Sequence, residues 1–259
     1  MTNIYEETAA RLRDAYRSGT IAPLRDVLAP GDGEGAYQVQ EINTRFWQAQ
    51  GRRIVGRKIG LTAKAVQKQL GVDQPDFGVL FDDMALTSGS ALAASRMIQP
   101  KAEAEIAVIL GADILDPEAD AETVAKATAS VAPAIEIVDS RITDWKISFA
   151  DTVADNGSSA FFALGEQRPL AGLDLYACGM VLEVNDEVVS IGAGAACLGH
   201  PLIAAAWLAR TLAKAGDPLR AGDILMSGAL GPMVAISAGD RVRAIIGGLG
   251  DCSFNVTGD

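Results

Sequence analysis

The sequence predicts an α+β fold in which a small N-terminal helical part precedes a mixed β-roll. Apolar residues recur at helical spacing near the N-terminus, whereas short apolar runs between glycine-rich turns dominate beyond about residue 78. Strands this short and this frequent indicate a rolled or sandwiched sheet rather than a doubly wound one. We therefore expect an N-terminal helical region over residues 1–78 and a β-roll domain over residues 79–259.

Three helices are expected in the N-terminal region. Residues 4–16 carry the first at spacing four, with Gly19 as its stop, and residues 36–50 carry the second. The third begins at Thr62, a good N-cap, and ends at Gly71.

The β-roll domain is predicted to contain mostly strands. A hairpin is expected around Asn185-Asp186, and one late helix over residues 201–215. The expected strands cover residues 103–110, 134–138, 180–185, 188–191, 224–227, 233–237, 241–246 and 251–256.

Composition excludes several classes of protein. A net charge of -11 argues against binding to nucleic acid, whose phosphates would be repelled. No apolar run reaches the roughly 18 residues of a membrane span, and the charged N-terminal stretch is unlike a secretory signal. Three cysteines without CxxC spacing indicate reduced, buried thiols. A cytoplasmic protein is expected.

The segment Lys101-Ala-Glu103-Ala-Glu105 is the strongest local feature. Residues two apart in a strand share a face, so Lys101, Glu103 and Glu105 come together just before an apolar run. A third carboxylate, Glu136, lies between two isoleucines. Carboxylates this close repel each other unless a cation joins them, and without neighbouring His or Cys they suit Mg²⁺ or Mn²⁺. A solvated acidic strand face is the alternative.

Two loops carry further candidates. Lys58 lies between glycines before a predicted helix, where a ligand can approach the backbone closely, and Asp76 lies in the loop Gln-Pro-Asp-Phe-Gly. The polar stretch 151–159 includes Ser158 and is either an ordinary Asx turn or a set of hydrogen-bonding groups for an oxygen-rich ligand. Taken singly, each charge is more typical of a surface than of a catalyst.

Two features are interpreted as structural. The run Gly-Ala-Gly-Ala-Ala-Cys at 192–197 lacks the third glycine of a dinucleotide fingerprint and follows a hairpin strand. His200, the single histidine, precedes Pro201 at a helix start, where we expect capping or packing. With one histidine, a histidine-rich metal site is excluded.

From about residue 36 onward the sequence resembles the 2-keto-4-pentenoate hydratase family, also called 2-hydroxypenta-2,4-dienoate hydratases, of the fumarylacetoacetate hydrolase superfamily. The resemblance rests on five segments in order: GRRIVGRKIGLTAKAVQKQLGVDQPDFGVLFDDM, KAEAEIAVIL, APAIEIVDSRITDWKISFADTVADNGSSAFFALG, GAGAACLGHPLIAAAWLA and LRAGDILMSGALGP. It implies a roll of the fumarylacetoacetate hydrolase C-terminal type. One departure is His200, where relatives are expected to have Asn.

The resemblance also implies the site. A divalent metal would be held by Glu103, Glu105 and Glu136. Lys58 and Asp76 would be catalytic, and the substrate would be bound by Lys58, Leu61 and Ser158.

The chemistry fits these residues. A 2-hydroxy-dienoate offers a carboxylate and an enol oxygen that chelate one metal, which stabilises the enolate. An acid then protonates the far carbon, and water adds to the resulting enone to give a 4-hydroxy-2-oxo acid. The implied activity is that of a hydro-lyase acting on 2-hydroxypenta-2,4-dienoate or a close homologue in aromatic meta-cleavage catabolism.

Other functions stay open. A 4-oxalocrotonate (2-oxo-3-hexenedioate) decarboxylase would use the same metal and enolate, although Asp76 would repel the second carboxylate of its substrate. A C–C hydrolase would need a His–Glu pair, and a non-catalytic partner subunit would need no metal ligands. The resemblance and the apolar stretches near the C-terminus predict a homo-oligomer with the metal site inside each subunit, in some settings complexed with a downstream aldolase or a decarboxylase.

Overall fold

Two β-sheets and six α-helices form the part of the chain that a computed structural model describes, residues 3–258. The helices α1 to α6 are Ile4–Ser18, Gly33–Ala49, Lys64–Leu70, Ala121–Ala127, Phe149–Ala154 and Pro201–Lys214. The strands β1 to β13 are Ile54–Gly60, Asp76–Phe81, Ala85–Thr87, Ala91–Ala93, Pro100–Leu110, Thr128–Asp139, Ser159–Leu164, Gly179–Val184, Glu187–Ala193, Ile224–Met226, Val234–Ala235, Arg241–Ile246 and Gly250–Thr257.

The larger sheet has eight strands in the order β2-β1-β10-β5-β6-β7-β3, with β11 also paired to β5. The smaller sheet has the order β4-β13-β12-β8-β9. Both are mixed, because β1 with β10, β3 with β7 and β4 with β13 are parallel pairs while the other pairs are antiparallel. The predicted α+β fold with a mixed roll is confirmed.

The main core fills the space between the two sheets and the late helix α6. Ala104 and Ile106 of β5, Phe254 of β13 and Leu208 of α6 are fully buried there. Alternate residues of β5, including Glu103 and Glu105, therefore point to the opposite face of the larger sheet. This alternation separates the apolar core from the candidate site.

The N-terminal helices share a second core with a segment from the middle of the chain. Leu12 of α1 and Val39 of α2 pack with Phe149 and Val153 of α5 in one buried cluster. This cluster places α1 and α2 beside the loop that follows α5.

The region 1–78, expected to be helical, contains strands of the larger sheet. Strand β1 pairs with β10 near the C-terminus, and β2 starts at Asp76. Glycines at 56, 60 and 78 interrupt the alternation of apolar residues by which strands are predicted. These glycines allow close packing: a Cβ at Gly56 would lie 1.9 Å from the carbonyl oxygen of Ile224. The sheet thus begins before the expected boundary.

The third helix does not begin as predicted. Helix α3 starts at Lys64 with Ala63 as N-cap and no side-chain capping bond, so the prediction of Thr62 as N-cap is wrong. The side chain of Thr62 is buried against Gly228, where an added Cβ would lie 2.4 Å from Thr62 Cγ2. Packing at the end of β1 takes precedence over capping.

Most other predicted elements are confirmed with small shifts in their ends. Helix α1 ends before Gly19, and the hairpin of β8 and β9 turns at Asn185 and Asp186, whose φ angles of 55° and 67° are those of a tight hairpin turn. Cysteines 178, 197 and 252 are free and buried, as expected. Helices α4 and α5 and strands β3, β4 and β7 were not predicted.

One stretch, Gly194–Lys214, is long and apolar enough by length and composition to be considered as a membrane span. Half of it is buried inside the protein, and Leu202, Leu208 and Leu212 of α6 belong to the main core. We therefore interpret α6 as a core helix.

His200 caps α6, as expected for a structural histidine. Its Nδ1 accepts a hydrogen bond from the backbone N–H of Leu202 at 3.0 Å, which requires the unprotonated imidazole. Burial lowers the pKa of His200 below its ordinary value, while Asp174 opposes this shift. The stabilisation by the cap is therefore complete above about pH 6.5, the unfolded-state pKa, and is lost as the pH falls toward the folded-state pKa.

Replacing this cap tests that assignment. His200→Ala should lower the free energy of unfolding by about 0.5–2 kcal/mol at pH 7.5. His200→Asn keeps an acceptor and should remove part of the loss of stability between about pH 7.5 and 5.5. Urea unfolding at a fixed protein concentration measures both. Equal pH dependence in the wild type and His200→Asn would contradict the titrating cap.

Candidate active site

The three glutamates proposed as metal ligands lie together on one face of the larger sheet. Glu103 of β5 is directly opposite Glu136 of β6, and Glu105 follows two residues along β5. One carboxylate oxygen from each lies within 4.8 Å of the other two. Glu105 and Glu136 are completely buried, while Glu103 is partly exposed. Solvent therefore reaches this cluster from the Glu103 side.

Lys58 of β1 points into the same cluster. Its Nζ lies 3.3 Å from Glu136 Oε2 and donates a hydrogen bond to the carbonyl oxygen of Gly157 at 3.0 Å. On a flat sheet, β1 and β6 would be about 14 Å apart, because three strand spacings separate them. Strands β2 and β7 also approach each other although four strands lie between them in the sheet order, so the sheet is curled and the site occupies its concave face.

Asp76 joins Lys58 from the neighbouring strand. Gly60 of β1 is the register partner of Asp76 in β2, so Asp76 and Lys58 share a face. A Cβ at position 60 would lie 2.1 Å from Asp76 Oδ1 and 3.2 Å from Lys58 Nζ. The absence of a side chain at Gly60 makes the room in which the acid and the amine meet.

The electrostatics of the cluster follow from burial and like charge. Burial and the neighbouring Glu136 raise the pKa of Glu103 to about 7. Burial, followed by Glu136, raises the pKa of Glu105 well above its usual range, and burial raises the pKa of Glu136 against the opposing effect of Lys58. Burial alone would lower the pKa of Lys58, but Glu136 and Asp76 raise it, so Lys58 stays protonated.

Several buried oxygens of the cluster have no hydrogen-bond donor. Glu105 Oε2 accepts from the backbone N–H of Gly228 at 2.8 Å, whereas Glu105 Oε1 and both oxygens of Glu136 accept no hydrogen bond. The contact of Glu136 with Lys58 is thus an ion pair rather than a directional hydrogen bond. Unpartnered buried carboxylate oxygens are costly. A hard divalent cation satisfies them, and the all-oxygen donor set suits Mg²⁺ or Mn²⁺.

Leu61 and Ser158, expected to bind substrate, directly follow Gly60 and Gly157, the two glycines beside Lys58. Leu61 directly follows β1 in a left-handed backbone conformation with φ 56°, and its side chain packs against the N-terminal helical core. Ser158 is buried beside Gly157, and its hydroxyl donates to Asp155 at 3.3 Å. The structure brings both near the site through their chain neighbours.

Comparison with known proteins identifies the family. The family model described as fumarylacetoacetate (FAA) hydrolase C-terminal matches residues 51–257. The 2-keto-4-pentenoate hydratase 1 of Dechloromonas aromatica (strain RCB) is 57% identical over 251 residues, covering 96% of this chain and 95% of that protein. The chain belongs to the fumarylacetoacetate hydrolase family. Relatives that are 46–57% identical over nearly the full chain are hydratases, and the chain is a hydro-lyase.

Two further relatives extend this comparison. The 2-hydroxyhexa-2,4-dienoate hydratase of Comamonas testosteroni is 46% identical, with 97% of each chain covered. A solved structure of 4-oxalocrotonate decarboxylase from Pseudomonas putida G7, complexed with magnesium and adipate, has a TM-score of 0.93 at 35% identity over 97% of each chain. Nearly the whole chain of this fumarylacetoacetate hydrolase family member therefore has a close structural counterpart.

Sequence reasoning missed other contributors to the site of this hydratase-like family member. Gly228, which donates to Glu105, lies in a Gly-Ala-Leu-Gly run with no polar side chain to mark it. Arg141 and Asp155 form a buried ion pair behind the loop that carries Gly157. Their positions in sequence differ by only 14 residues, but nothing in the spacing indicates that they meet.

The titration of the glutamates predicts how metal binding depends on pH. Since Glu103 has a pKa of about 7, a cation must displace a proton from it in acidic solution. Affinity for Mg²⁺ or Mn²⁺ should rise from about pH 6 to 8, with proton release measured by calorimetry in two buffers of different ionisation enthalpy. Glu105→Gln should weaken binding, and the exposed control Glu187→Gln should not. Metal affinity that is independent of pH would contradict the site.

Proposed function

We propose that the protein adds water to 2-hydroxypenta-2,4-dienoate, or a close homologue, to give 4-hydroxy-2-oxopentanoate in aromatic meta-cleavage catabolism. One observation carries the proposal: Lys58 and Asp76 lie beside a buried cluster of three glutamates in a chain whose relatives at 46–57% identity are hydratases. This combination supplies a cation site, an ammonium group and an acid/base group on one face of the larger sheet.

We infer that Glu103, Glu105 and Glu136 hold Mg²⁺ or Mn²⁺. The oxygens that lack donors support this inference, as does the magnesium in the related decarboxylase structure. When bound, the ion acts as a Lewis acid toward the oxygens of the substrate. Three carboxylates around a divalent ion leave a formal charge of -1, so an anionic substrate needs a further cation nearby.

Lys58 supplies that further cation. Its raised pKa keeps the ammonium charged, and its contacts with Gly157 and Glu136 fix the position of Nζ. A fixed ammonium group orients the substrate carboxylate, and little solvent screens it because Lys58 is only 4% exposed. Leu61 and Ser158 would complete the substrate pocket, with the Ser158 hydroxyl as a hydrogen-bonding group.

Asp76 is the proposed acid and base. It is buried, its Oδ1 accepts no hydrogen bond, and burial raises its pKa although Lys58 opposes the shift. A carboxyl group with a raised pKa can hold a proton and deliver it to the far carbon of the dienoate as the 2-hydroxyl proton leaves. The 2-hydroxyl proton passes to solvent, the Asp76 carboxylate takes a proton from the water that adds to C4, and C3 takes one proton back from solvent. The net change is therefore the addition of one water, with Asp76 returned to its protonated form.

The decarboxylase reading has one observation in its favour, the structural match to 4-oxalocrotonate decarboxylase. The hydratase relatives are more similar in sequence, at 46–57% identity against 35% for the decarboxylase. A C–C hydrolase with a His–Glu pair has no support, because the single histidine caps α6. A non-catalytic subunit would have no use for buried glutamates without donors.

We also propose a cytoplasmic homo-oligomer that acts on a small molecule and binds neither nucleic acid nor membrane. Buried free thiols and the acidic net charge support this setting. All five proposed metal and acid/base residues come from one chain, so each subunit carries its own site. A complex with a downstream aldolase or a decarboxylase is compatible with that arrangement.

Loss of dienoate absorbance, with identification of the product, tests the reaction. Asp76→Asn should lower kcat by about 10²–10⁴-fold while metal affinity stays nearly unchanged, because proton transfer is lost. Lys58→Ala should lower kcat/KM by about 10- to 100-fold through the lost charge-assisted bond. The exposed neighbours Asp73→Asn and Lys68→Ala serve as matched controls. Release of CO₂ from 4-oxalocrotonate without hydration would favour the decarboxylase instead.

Light scattering tests the assembly. Symmetric association should give a mass at least double the 26.9 kDa of one chain. Exposed apolar residues on the edge strand β9, including Val188 and Ile191, are consistent with such contacts. A strictly monomeric and fully active protein at micromolar concentration would refute the assembly and leave the chemistry in place.

A further inference from the structure

The short loop between α5 and β7 has an unusual backbone conformation at the point where it meets Lys58. Asn156, Gly157 and Ser158 are consecutive left-handed residues, with φ angles of 58°, 60° and 54°. Residues with side chains rarely adopt this region, and two of these three have side chains. Such a turn persists only where its surroundings hold it. Its central carbonyl, at Gly157, accepts the hydrogen bond from Lys58 Nζ.

One side of the turn is held by the sheet. The side chain of Asn156 accepts from the backbone N–H of Val79 at 2.7 Å and donates to the carbonyl oxygen of Val79 at 2.9 Å. Space is tight on this side as well, because a Cβ at Gly78 would lie 2.4 Å from the carbonyl oxygen of Asn156. Asn156 therefore joins the turn to β2, the strand that carries Asp76.

The other side of the turn is held by Asp155. Ser158 donates to Asp155 twice, from its backbone N–H to the carbonyl oxygen at 3.0 Å and from its hydroxyl to Oδ2 at 3.3 Å. Asp155 is itself buried, with 3% of its surface exposed. The turn can keep its shape only if Asp155 keeps its place.

Arg141 holds Asp155 through several bonds. Its Nε donates to Asp155 Oδ1 at 2.5 Å, its backbone N–H donates to Oδ2 at 3.0 Å, and its guanidinium donates to the Asp155 carbonyl oxygen at 2.7 Å. Arg141 is 1% exposed, and its guanidinium carbon lies 4.6 Å from the centre of the Tyr16 ring of α1. A continuous set of contacts thus runs from the N-terminal helix to Lys58.

We propose that Arg141 is a positioning residue for Lys58. Through Asp155 it fixes the left-handed turn, and the turn fixes the Gly157 carbonyl that holds Lys58 Nζ beside Glu136. Lysine does not reproduce these bonds, because Arg141 reaches the Asp155 carboxylate and the Asp155 carbonyl oxygen with two different nitrogens of a rigid planar group, whereas lysine has a single nitrogen. The effect on catalysis rests on the proposed function of Lys58, whereas the geometric effect does not.

A purely structural role for Arg141 predicts something different. Loss of a buried ion pair would lower stability but would leave Lys58 in place in the molecules that remain folded. The chain offers a matched comparison in Arg57, a buried arginine that donates to Asp217 at 2.7 Å. Arg57 directly precedes Lys58 in β1, and its side chain therefore points to the opposite face of the sheet.

The first experiment measures the reactivity of Lys58 without substrate. Wild type, Arg141→Lys and Arg57→Lys are treated with trinitrobenzenesulfonate well below their unfolding temperatures, and labelling of Lys58 is followed by peptide mapping. We expect labelling about tenfold faster in Arg141→Lys, which corresponds to the loss of a hydrogen bond to a charged group, and no change in Arg57→Lys. Asp155→Asn should act like Arg141→Lys, and it replaces that variant if Arg141→Lys does not fold.

The second experiment measures coupling in the full-length enzyme. Arg141→Lys should lower kcat/KM for the dienoate by about tenfold, at the lower end of the loss expected for Lys58→Ala, because a small misplacement of the carboxylate-binding group is costly. In a Lys58→Ala background the same change should lower kcat/KM by less than about threefold, since both substitutions disrupt the same function, the placement of the Lys58 ammonium group.

Two results would overturn the proposal. One is unchanged labelling of Lys58 in folded Arg141→Lys and Asp155→Asn. The other is a loss of kcat/KM in the Lys58→Ala background as large as in the wild type. If the protein proves not to hydrate dienoates, the labelling experiment still decides whether Arg141 holds Lys58, so the two failures are distinguishable.

Discussion

Repulsion between buried carboxylates is the constraint on which the rest of the site depends. Glu103 and Glu136 face each other across an antiparallel pair, and Glu105 lies within the same few ångströms. Like charges directly opposite destabilise a sheet, and burial increases the cost. Lys58 offsets part of this repulsion, but the oxygens without donors still favour a cation. The cluster is therefore costly on its own, and this cost supports the proposal that it binds a divalent ion.

The fold accommodates this cluster by removing side chains around it. Gly60, Gly78 and Gly157 leave space for the side chain of Lys58, since an added Cβ at these positions would lie 3.0–3.2 Å from one of its atoms. The apolar core lies on the other face of β5, so the polar residues of the site do not interrupt the apolar core. The glycines that interrupt the strand pattern are thus part of the site's architecture.

The N-terminal helices belong to the same structural unit as the site. They share a buried core with α5, and the loop after α5 supplies the carbonyl that holds Lys58. Tyr16 of α1 covers Arg141, which in turn binds Asp155. The N-terminal helical part therefore supports the left-handed turn at residues 156–158 that contacts Lys58.

The sequence by itself determined the features that depend on local periodicity. These are the α+β class, the helix ends at glycines, the hairpin at Asn185 and the shared face of Glu103 and Glu105. Only the tertiary structure decided that Glu136 lies opposite Glu103, that Lys58 reaches it across the curled sheet, and that Arg141 meets Asp155. The existence of strands β1 and β2 and the packing of Thr62 against Gly228 were likewise evident only from the tertiary structure. The reason is physical: strand register, sheet curvature and burial arise from contacts between distant parts of the chain, whereas spacing along the chain fixes only which way neighbouring side chains point.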